Sequence, residues 1–294
     1  MKLLHISDLH FEARTPSLWP WGPLDWRQLF ARAEFIWQGR PPLFAQAAAT
    51  VEGILIAARA AGVDHVLVSG DLTAISARAE FEAARQALLP FEGRLTVLPG
   101  NHDRTSAASA RHFEAVFGDW LRSDLPVLGA DGGFPLVHLV GDDAAVVALD
   151  SARVPRLPGL SQGTVGAAQL AALDRVLGHE RLLGRGVVVS VHHAPFKADG
   201  SPDRRRHGLT DARELLAIVD RHGVAALCHG HIHHRYEITR PGATPLFDAA
   251  SSTQRGREGY VLLEVGARGL TAAALIPLGG PASATSREPA AAER

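Results

Sequence analysis

Five short polar clusters in this sequence combine aspartate, asparagine and histidine, and three of them begin with glycine. The clusters are Asp8-Leu9-His10, Gly70-Asp71, Gly100-Asn101-His102-Asp103, His192-His193 and Gly230-His231-Ile232-His233. Imidazole nitrogens together with carboxylate and amide oxygens suit borderline divalent metals such as Mn²⁺, Fe²⁺ and Zn²⁺, whereas Ca²⁺ takes oxygen ligands. The clusters contain no cysteine, which argues against a structural zinc site. The residue types therefore predict a metal centre.

The number of ligand groups indicates two metal ions. Two aspartates, one asparagine and four histidines provide seven groups. Seven groups are too many for one ion and suit two ions that share a bridging carboxylate. Two-metal sites, with ions about 3.5–4 Å apart, stabilise both the attacking and the leaving oxygen of a phosphoryl displacement. The expected reaction is hydrolysis of a phosphate ester by a water that the metals activate.

Each cluster follows an apolar stretch that is typical of a buried strand. These strands are predicted at residues 2–7, 65–69, 94–98, 186–191 and 224–228. Open α/β sheets form ligand sites at the carboxyl ends of their strands, so we expect the clusters to meet at one edge. Gly70, Gly100 and Gly230 would permit tight turns and close approach of the backbone there.

Stretches with helical spacing separate these strands. Helices are predicted at residues 43–61, 77–89, 167–177 and 211–222, with Thr210 as the N-cap of the last. Further strands are predicted at residues 144–149, 236–239, 245–248, 260–265 and 270–276. The alternation predicts a single α/β domain, residues 1–278, with a layered sheet and crossover helices. Residues 279–294, rich in Ala, Ser, Pro and Glu, are predicted to be disordered.

The ordered set of motifs resembles that of the calcineurin-like metallophosphoesterases. Their pattern is D-x-H, G-D, G-N-H-D/E, a histidine after a later strand, and G-H-x-H, and this chain matches it from Asp8 to His233. The resemblance implies an αββα fold, which is a layered β-sandwich flanked by helices. The implied ligands are Asp8, His10 and His233 for the first metal, Asp71 as the bridge, and Asn101, His192 and His231 for the second metal.

The resemblance also implies a catalytic histidine that binds no metal. His102 would stabilise the substrate phosphate or protonate the leaving oxygen, and Asp103 would orient its imidazole. In the pair His192-His193 either residue could be the ligand. The resemblance favours His192, which leaves His193 to lie behind the ligands or to contact the substrate. The implied cofactors are two divalent metal ions, Mn²⁺, Fe²⁺/Fe³⁺ or Zn²⁺.

Two further segments could select the substrate. Residues 11–42 form an insertion that holds four of the five tryptophans, Trp19, Trp21, Trp26 and Trp37. The insertion is interpreted as a loop packed over the sheet edge, as a lid that stacks on a base or contacts lipid, or as an oligomer contact. Its arginines would suit transient contact with an anionic membrane if the stretch were an amphipathic helix; they are Arg27, Arg32 and Arg40.

The second segment is residues 197–208, which follow the His192-His193 motif. It carries three consecutive arginines, Arg204, Arg205 and Arg206. A run of charges is usually a solvated surface, but one of these guanidinium groups could reach a substrate phosphate from this position.

Composition restricts the function classes. The formal net charge of −1 provides no global positive field for a nucleic acid backbone. The apolar runs are shorter than a signal peptide or a membrane span needs, and the only cysteine, Cys228, fits a reducing compartment. We therefore expect a cytoplasmic protein.

Within the family, the compact chain resembles the bacterial class III cyclic-nucleotide phosphodiesterases. This resemblance implies a small phosphodiester substrate such as a 3′,5′-cyclic nucleotide. The alternatives are a UDP-2,3-diacylglucosamine pyrophosphate hydrolase of lipid A synthesis, whose acyl chains the insertion would grip, and a DNA exonuclease. A scaffold that has lost catalysis is disfavoured because no ligand of the motif set is missing.

Overall fold

Twelve strands and seven α-helices form the described part of the chain, which in this computed structural model comprises residues 1–12, 26–130, 133–157, 159–279 and 283–286. The helices are α1 (Trp26–Trp37), α2 (Pro41–Phe44), α3 (Ala47–Ala60), α4 (Arg78–Leu88), α5 (Ala107–Phe117), α6 (Ala167–Leu177) and α7 (Ala212–Arg221). The strands are β1 (Lys2–Ile6), β2 (His65–Val68), β3 (Leu95–Val97), β4 (Leu136–Val140), β5 (Ala144–Ala148), β6 (Gly186–Ser190), β7 (Ala226–His229), β8 (Arg235–Ile238), β9 (Leu246–Ala249), β10 (Gly259–Gly266), β11 (Gly269–Pro277) and β12 (Ser283–Ser286).

The strands form two six-stranded sheets. The first sheet has the order β12-β11-β10-β1-β2-β3, and the second has the order β4-β5-β6-β7-β9-β8. Strands β1, β2 and β3 are parallel, and so are β5, β6, β7 and β9. Parallel neighbours require crossover connections. Helices supply them, except that β7 and β9 are connected through strand β8. The polar clusters of the sequence follow the carboxyl ends of the strands in these two parallel groups.

Alternate residues of each central strand enter two different cores, as the period of a strand requires. In β1, Leu3 packs between the two sheets, whereas Leu4 and Ile6 pack under the helices. Helices α3, α4 and α5 cover the outer face of the first sheet, and α6 and α7 cover the outer face of the second. The result is a helix–sheet–sheet–helix sandwich, and the predicted fold class is confirmed.

Several predicted boundaries need correction. The helix predicted at residues 43–61 is divided into α2 and α3 by a turn. Helix α7 has Asp211, rather than Thr210, at its N-cap position, and the hydroxyl of Thr210 donates to the carbonyl oxygen of Gly163 at 3.0 Å. Of the tail predicted to be disordered, Ser283–Ser286 pair with β11 as strand β12, and residues 280–282 and 287–294 lie outside the described residues. Helix α5 and strand β4 were not predicted.

The insertion predicted at residues 11–42 contains helix α1, which packs beside the loop that follows β2. Phe35 of α1 and Phe44 of α2 stack with ring centroids 5.9 Å apart and contact Ala74 and Ile75. Trp19 and Trp21 lie outside the described residues. Trp26 and Trp37 are 61% and 87% exposed, so the insertion presents one apolar face outward.

One helical stretch in the described residues, Pro41–Ala60, is long and apolar enough by length and composition to cross a bilayer. A third of it is buried inside the fold. Its buried side chains, including Val51, Ile54 and Leu55, pack on the first sheet. They do so as the core face of an ordinary amphipathic helix would.

Candidate metal centre

Both sheets contribute to one polar site at the carboxyl ends of their parallel strands. Asp8 follows β1, Asp71 follows β2 and Asn101 follows β3 in the first sheet. His192 follows β6 and His231 follows β7 in the second sheet. Distances across the two sheets are short: His192 Nε2 lies 3.4 Å from Asp71 Oδ2, and His233 Nε2 lies 3.1 Å from Asp8 Oδ1. The structure therefore brings the predicted ligand residues together.

The backbone at this site is strained. Among the described residues, seven non-glycine residues have φ in the left-handed region, and five of them are predicted ligands: Asp8, His10, Asp71, His231 and His233. Such conformations cost free energy and persist where surrounding contacts enforce them. Here the amide of Asp8 donates to the carbonyl oxygen of Gly70, and that of His10 to the carbonyl oxygen of Asp71, each at 3.0 Å. The strain turns alternate side chains of each loop toward one centre.

Two motif glycines are required by space. A Cβ atom on Gly100 would overlap the carboxylate and the backbone amide of Asp71. A Cβ atom on Gly230 would overlap the side chains of Ser7 and Asp8. These glycines let the loops of one strand approach the ligand residues of the next, so they belong to the site although they offer no ligand atom.

The first group of ligand atoms turns three acceptors toward one another. His10 Nδ1 lies 3.3 Å from the carbonyl oxygen of Thr73, and His233 Nδ1 lies 3.1 Å from Gln254 Oε1. Neutral rings that donate from Nδ1 have lone pairs at Nε2. Those two Nε2 atoms are 3.2 Å apart, and the buried Asp8 Oδ1 beside them has no hydrogen-bond partner. Converging lone pairs and an orphaned carboxylate oxygen fit a cation.

The second group has the same design. His192 Nδ1 lies 2.8 Å from the carbonyl oxygen of Ser69, which leaves Nε2 facing Asn101 Oδ1 at 3.2 Å and Asp71 Oδ2. His231 Nε2 lies 2.9 Å from the carbonyl oxygen of His207, which leaves its Nδ1 as the free nitrogen. Backbone carbonyls thus fix which nitrogen each ring offers, as is usual behind metal-binding histidines.

Asp71 connects the two groups. Its carboxylate lies within 4.8 Å of ligand atoms of His10 on one side, and of His192 and His231 on the other. Its Oδ1 accepts the backbone N–H of His102 at 2.7 Å, which holds the carboxylate in this position. The geometry is that of a carboxylate between two cation positions.

Electrostatics make the centre attractive to positive charge. Burial alone would raise the pKa of Asp8, but contact with His233 holds that pKa at about 2. Burial would lower the pKa of His192, but the Asp71 carboxylate raises it to about 10. Both shifts arise because the buried carboxylates of Asp8 and Asp71 favour a positive charge beside them, which suits a divalent cation.

The predicted catalytic pair is only partly supported. His102 lines the cavity over the site, and its Nδ1 donates to the carbonyl oxygen of Ala74 at 2.8 Å. The expectation that Asp103 orients this imidazole is wrong. The buried Asp103 carboxylate instead accepts from the amides of Leu72, Thr73 and Gly100 at 2.9–3.1 Å. Asp103 therefore joins the loops after β2 and β3.

The ambiguity between His192 and His193 is resolved by geometry in favour of His192 as the residue at the centre. His193 is fully buried, with Nδ1 2.7 Å from Ser151 Oγ, and it packs against the rings of His192 and His231. His193 therefore lies behind the ligands, which is one of the two positions expected for it, and its contact with substrate stays a prediction.

A cavity of about 280 Å³ lies over the centre. It is lined by ligand residues, by His102, by α1 and by the loop around Ser161. The structure gives no support to the predicted contact of substrate with Arg204, Arg205 and Arg206, because these residues are exposed and do not line the cavity. The amides of His207 and Gly208 both donate to the carbonyl oxygen of Arg204, and this turn directs His207 toward the cavity.

Two of the cavity residues that sequence reasoning missed contact histidines of the site. His207 stacks on His231 with ring centroids 4.0 Å apart, and its Nδ1 lies 2.5 Å from Asp203 Oδ2. Arg40, which sequence analysis considered only for contact with an anionic membrane if the insertion were an amphipathic helix, points inward to His102. The spacing Asp203-x-x-x-His207 was a local signal for the first residue, whereas no local signal marks Arg40.

Comparison with known proteins identifies relatives. The calcineurin-like phosphoesterase family model matches residues 1–235. A probable cyclic nucleotide phosphodiesterase from Vesicomyosocius okutanii is 21% identical over 197 residues, which cover 67% of this chain and 73% of that protein. The glycerophosphodiester phosphodiesterase GpdQ from Enterobacter lignolyticus is 27% identical over 222 residues, which cover 75% of this chain and 66% of that protein.

The fold also matches solved structures. A dimetal phosphatase from Danio rerio superposes with a TM-score of 0.61 at 14% sequence identity, covering 93% of this chain and 94% of that protein. At this identity the match shows a shared fold, which agrees with the two packed sheets described above.

Proposed function

This chain belongs to the calcineurin-like phosphoesterase family, and from that premise we propose that it hydrolyses phosphodiester bonds of small substrates. Membership makes it a phosphoric ester hydrolase and implies two divalent metal ions. The observation that carries the proposal is the pair of converging acceptor groups that share Asp71 beneath a small cavity. The proposed ligands are Asp8, His10 and His233 for one ion, Asn101, His192 and His231 for the other, and Asp71 for both.

The donor set supports borderline metals, because nitrogen and oxygen ligands without thiolate suit Mn²⁺, iron or Zn²⁺. When bound, the ions would supply the Lewis acidity that activates a water and neutralises phosphate charge. The protein's own residues position these groups. Ala74 and Asp71 fix the ring and the backbone of His102, so that its Nε2 remains on the cavity side, where it would stabilise the phosphate or hold a proton near the leaving oxygen.

The size of the cavity favours a small ester. Its volume of about 280 Å³ is near the lower end of the range for ligand pockets. The two curated relatives are named for cyclic nucleotides and for glycerophosphodiesters, and both are small phosphodiesters. The net charge of −1 gives no support to a DNA exonuclease.

The test is a substrate screen with the Mn²⁺-loaded protein. We expect turnover of bis-p-nitrophenyl phosphate and of at least one among 3′,5′-cyclic AMP and glycerophosphodiesters. A protein loaded with metal that cleaves only monoesters such as p-nitrophenyl phosphate, or none of these esters, would contradict the proposal. Salt-dependent DNA binding would reopen the exonuclease alternative.

One observation favours a second candidate, UDP-2,3-diacylglucosamine pyrophosphate hydrolysis. Helix α1 exposes apolar side chains, and one of them, Phe30, also lines the cavity. Acyl chains of a substrate held at the centre would thus meet an apolar surface. Release of UMP together with partitioning onto membranes would support this candidate, whereas efficient cyclic AMP turnover would count against it.

A further inference from the structure

Arg40 lies between α1 and α2 and directs its guanidinium into the cavity beside His102. The Nη1 atom is 3.3 Å from His102 Nε2. Because arginine has only donors, His102 Nε2 must be the acceptor in this contact. Arg40 lines the same cavity as Asn101 and His233, so its charge lies where a bound phosphate would lie.

In the part of the chain that the structure describes, the positive charge of Arg40 has no carboxylate counter-ion. There the bond to His102 is its side chain's one hydrogen bond, and no carboxylate lies within ion-pair distance. Two other half-buried arginines differ in this respect: Arg104 pairs with Asp150 at 2.8 Å, and Arg240 pairs with Asp220 at 3.2 Å. Removing a cation from water without a counter-ion costs free energy, so this arrangement favours binding of an anion.

The backbone that carries Arg40 is anchored to the metal centre. The amide of Arg40 donates to the carbonyl oxygen of Phe35 at 3.1 Å, and its own carbonyl accepts from Leu43 at 2.8 Å. Phe44, one turn further, packs against His10 with ring centroids 4.7 Å apart. Arg27 attaches the other end of α1 to the carbonyl oxygen of Pro155 at 2.5 Å. The guanidinium is therefore presented by a fixed segment.

We propose that Arg40 is a phosphate-binding residue, whose N–H donors leave His102 and bind a non-bridging oxygen of the substrate phosphate. This inference rests on the proposed function, since it takes a phosphate ester as the ligand of the cavity. The planar guanidinium presents two parallel donors, a geometry that matches a phosphate and that lysine lacks. Binding would satisfy the uncompensated charge and free His102 Nε2 to face the ester.

The test uses the Mn²⁺-loaded enzyme with Arg40→Met, Arg40→Lys and Arg40→Ala, and with Arg32→Met as the matched control. Arg32 lies on α1 but does not line the cavity. A charged hydrogen bond contributes about 1.5–3 kcal/mol, so kcat/KM for bis-p-nitrophenyl phosphate should fall roughly 10- to 100-fold in Arg40→Met. The inhibition constant of inorganic phosphate should rise by a similar factor.

The remaining variants separate phosphate binding from structural support. Arg40→Lys should recover only part of the loss, and guanidinium ion added at millimolar concentration should partly restore Arg40→Ala. Arg32→Met should stay within about twofold of wild type. Unchanged phosphate inhibition in Arg40→Met would overturn the inference, and so would a loss of activity that is accompanied by loss of metal or by a lowered Tm.

A separate measurement distinguishes failure of this inference from failure of the proposed function. If the wild-type protein hydrolyses no ester, the proposed function fails. Titration calorimetry of the Mn²⁺-loaded protein with inorganic phosphate then still tests Arg40. Weaker binding in Arg40→Met than in Arg32→Met would support the inference, and equal binding would overturn it.

Discussion

Two histidine clusters lie at opposite ends of strand β2, and they differ in the direction of their hydrogen bonds. At the amino end, His65 Nε2 is 2.7 Å from Thr96 Oγ1, which is 2.5 Å from His138 Nδ1. His138 Nε2 donates to the carbonyl oxygen of Arg122 at 2.7 Å. His138 Nδ1 is therefore an acceptor, Thr96 donates to it, and His65 donates to Thr96. Each donor in this series of hydrogen bonds therefore meets an acceptor.

At the carboxyl end, by contrast, His10 and His233 of the metal centre donate outward from Nδ1 to carbonyl oxygens, so that their Nε2 atoms face each other. His10 and His233 bring Nε2 atoms to 3.2 Å from each other, and no hydroxyl intervenes. The difference teaches that clustered histidines do not by themselves indicate a metal. What distinguishes the two clusters is whether lone pairs meet donors or meet one another.

The largest expected effect is at Asp71. Asp71→Asn keeps the volume of the side chain but removes the negative charge shared by both acceptor groups, so neither cation is properly held. We expect kcat with bis-p-nitrophenyl phosphate to fall roughly a thousandfold or more, since metal stabilisation of the transition state contributes several kcal/mol. Metal analysis should show fewer than two ions per chain. Wild-type turnover with full metal content would refute the assignment of this cluster.

The smaller effect at the other cluster is on stability. Thr96→Val preserves shape and strand preference but leaves a donor on His65 and an acceptor on His138 without a partner. The unsatisfied buried donor on His65 costs about 1–3 kcal/mol, whereas water can reach the half-buried His138, so we expect a loss of about 1–3 kcal/mol in urea denaturation. Activity of the folded enzyme should stay within about twofold of wild type.

The control for this change is Thr271→Val, an exposed threonine of β11. Its hydroxyl donates to the carbonyl oxygen of Glu264 at the surface, where water can replace the bond, so the loss of stability should be within about 0.5 kcal/mol. If Thr96→Val depleted the metals as Asp71→Asn does, the two clusters would not be independent.

The sequence predicted one of these clusters because local patterns record it. Apolar strands followed by Asp8, Asp71 and His231 place ligand types at strand ends, and glycines mark the close approaches. The pairing of His65 with His138 has no such pattern, since it depends on β3 lying between two strands from different sheets. Those histidines could be predicted only as structural or surface residues.

The misassigned residues have a common cause. Asp103 was expected to act on its neighbour His102, yet its bonds reach back about thirty residues to Leu72 and Thr73. Arg40 contacts a histidine 62 positions away. Contacts of this range follow from how loops pack on the sheet edge, which residue spacing does not encode. Helix α5, by contrast, had a readable signal in the spacing of Phe113, Val116 and Phe117.

The last effect concerns the response of stability to acid. Burial lowers the pKa of His65 to about 3, from about 6.5 when unfolded. The unfolded chain therefore binds a proton that the folded chain rejects, and stability falls as pH drops from about 6.5 toward 3, by up to about 1.4 kcal/mol per pH unit for this residue. His65→Gln keeps a donor for Thr96 but cannot titrate. Its stability relative to wild type, measured by urea denaturation, should therefore improve as the pH is lowered from 7 to 4.5. If the stability difference between His65→Gln and wild type stayed constant over this range, the folded protein would accept a proton on His65 as readily as the unfolded protein does. The contrast between the hydrogen-bonded histidines at one end of β2 and the metal centre at the other would then be weaker than the geometry indicates.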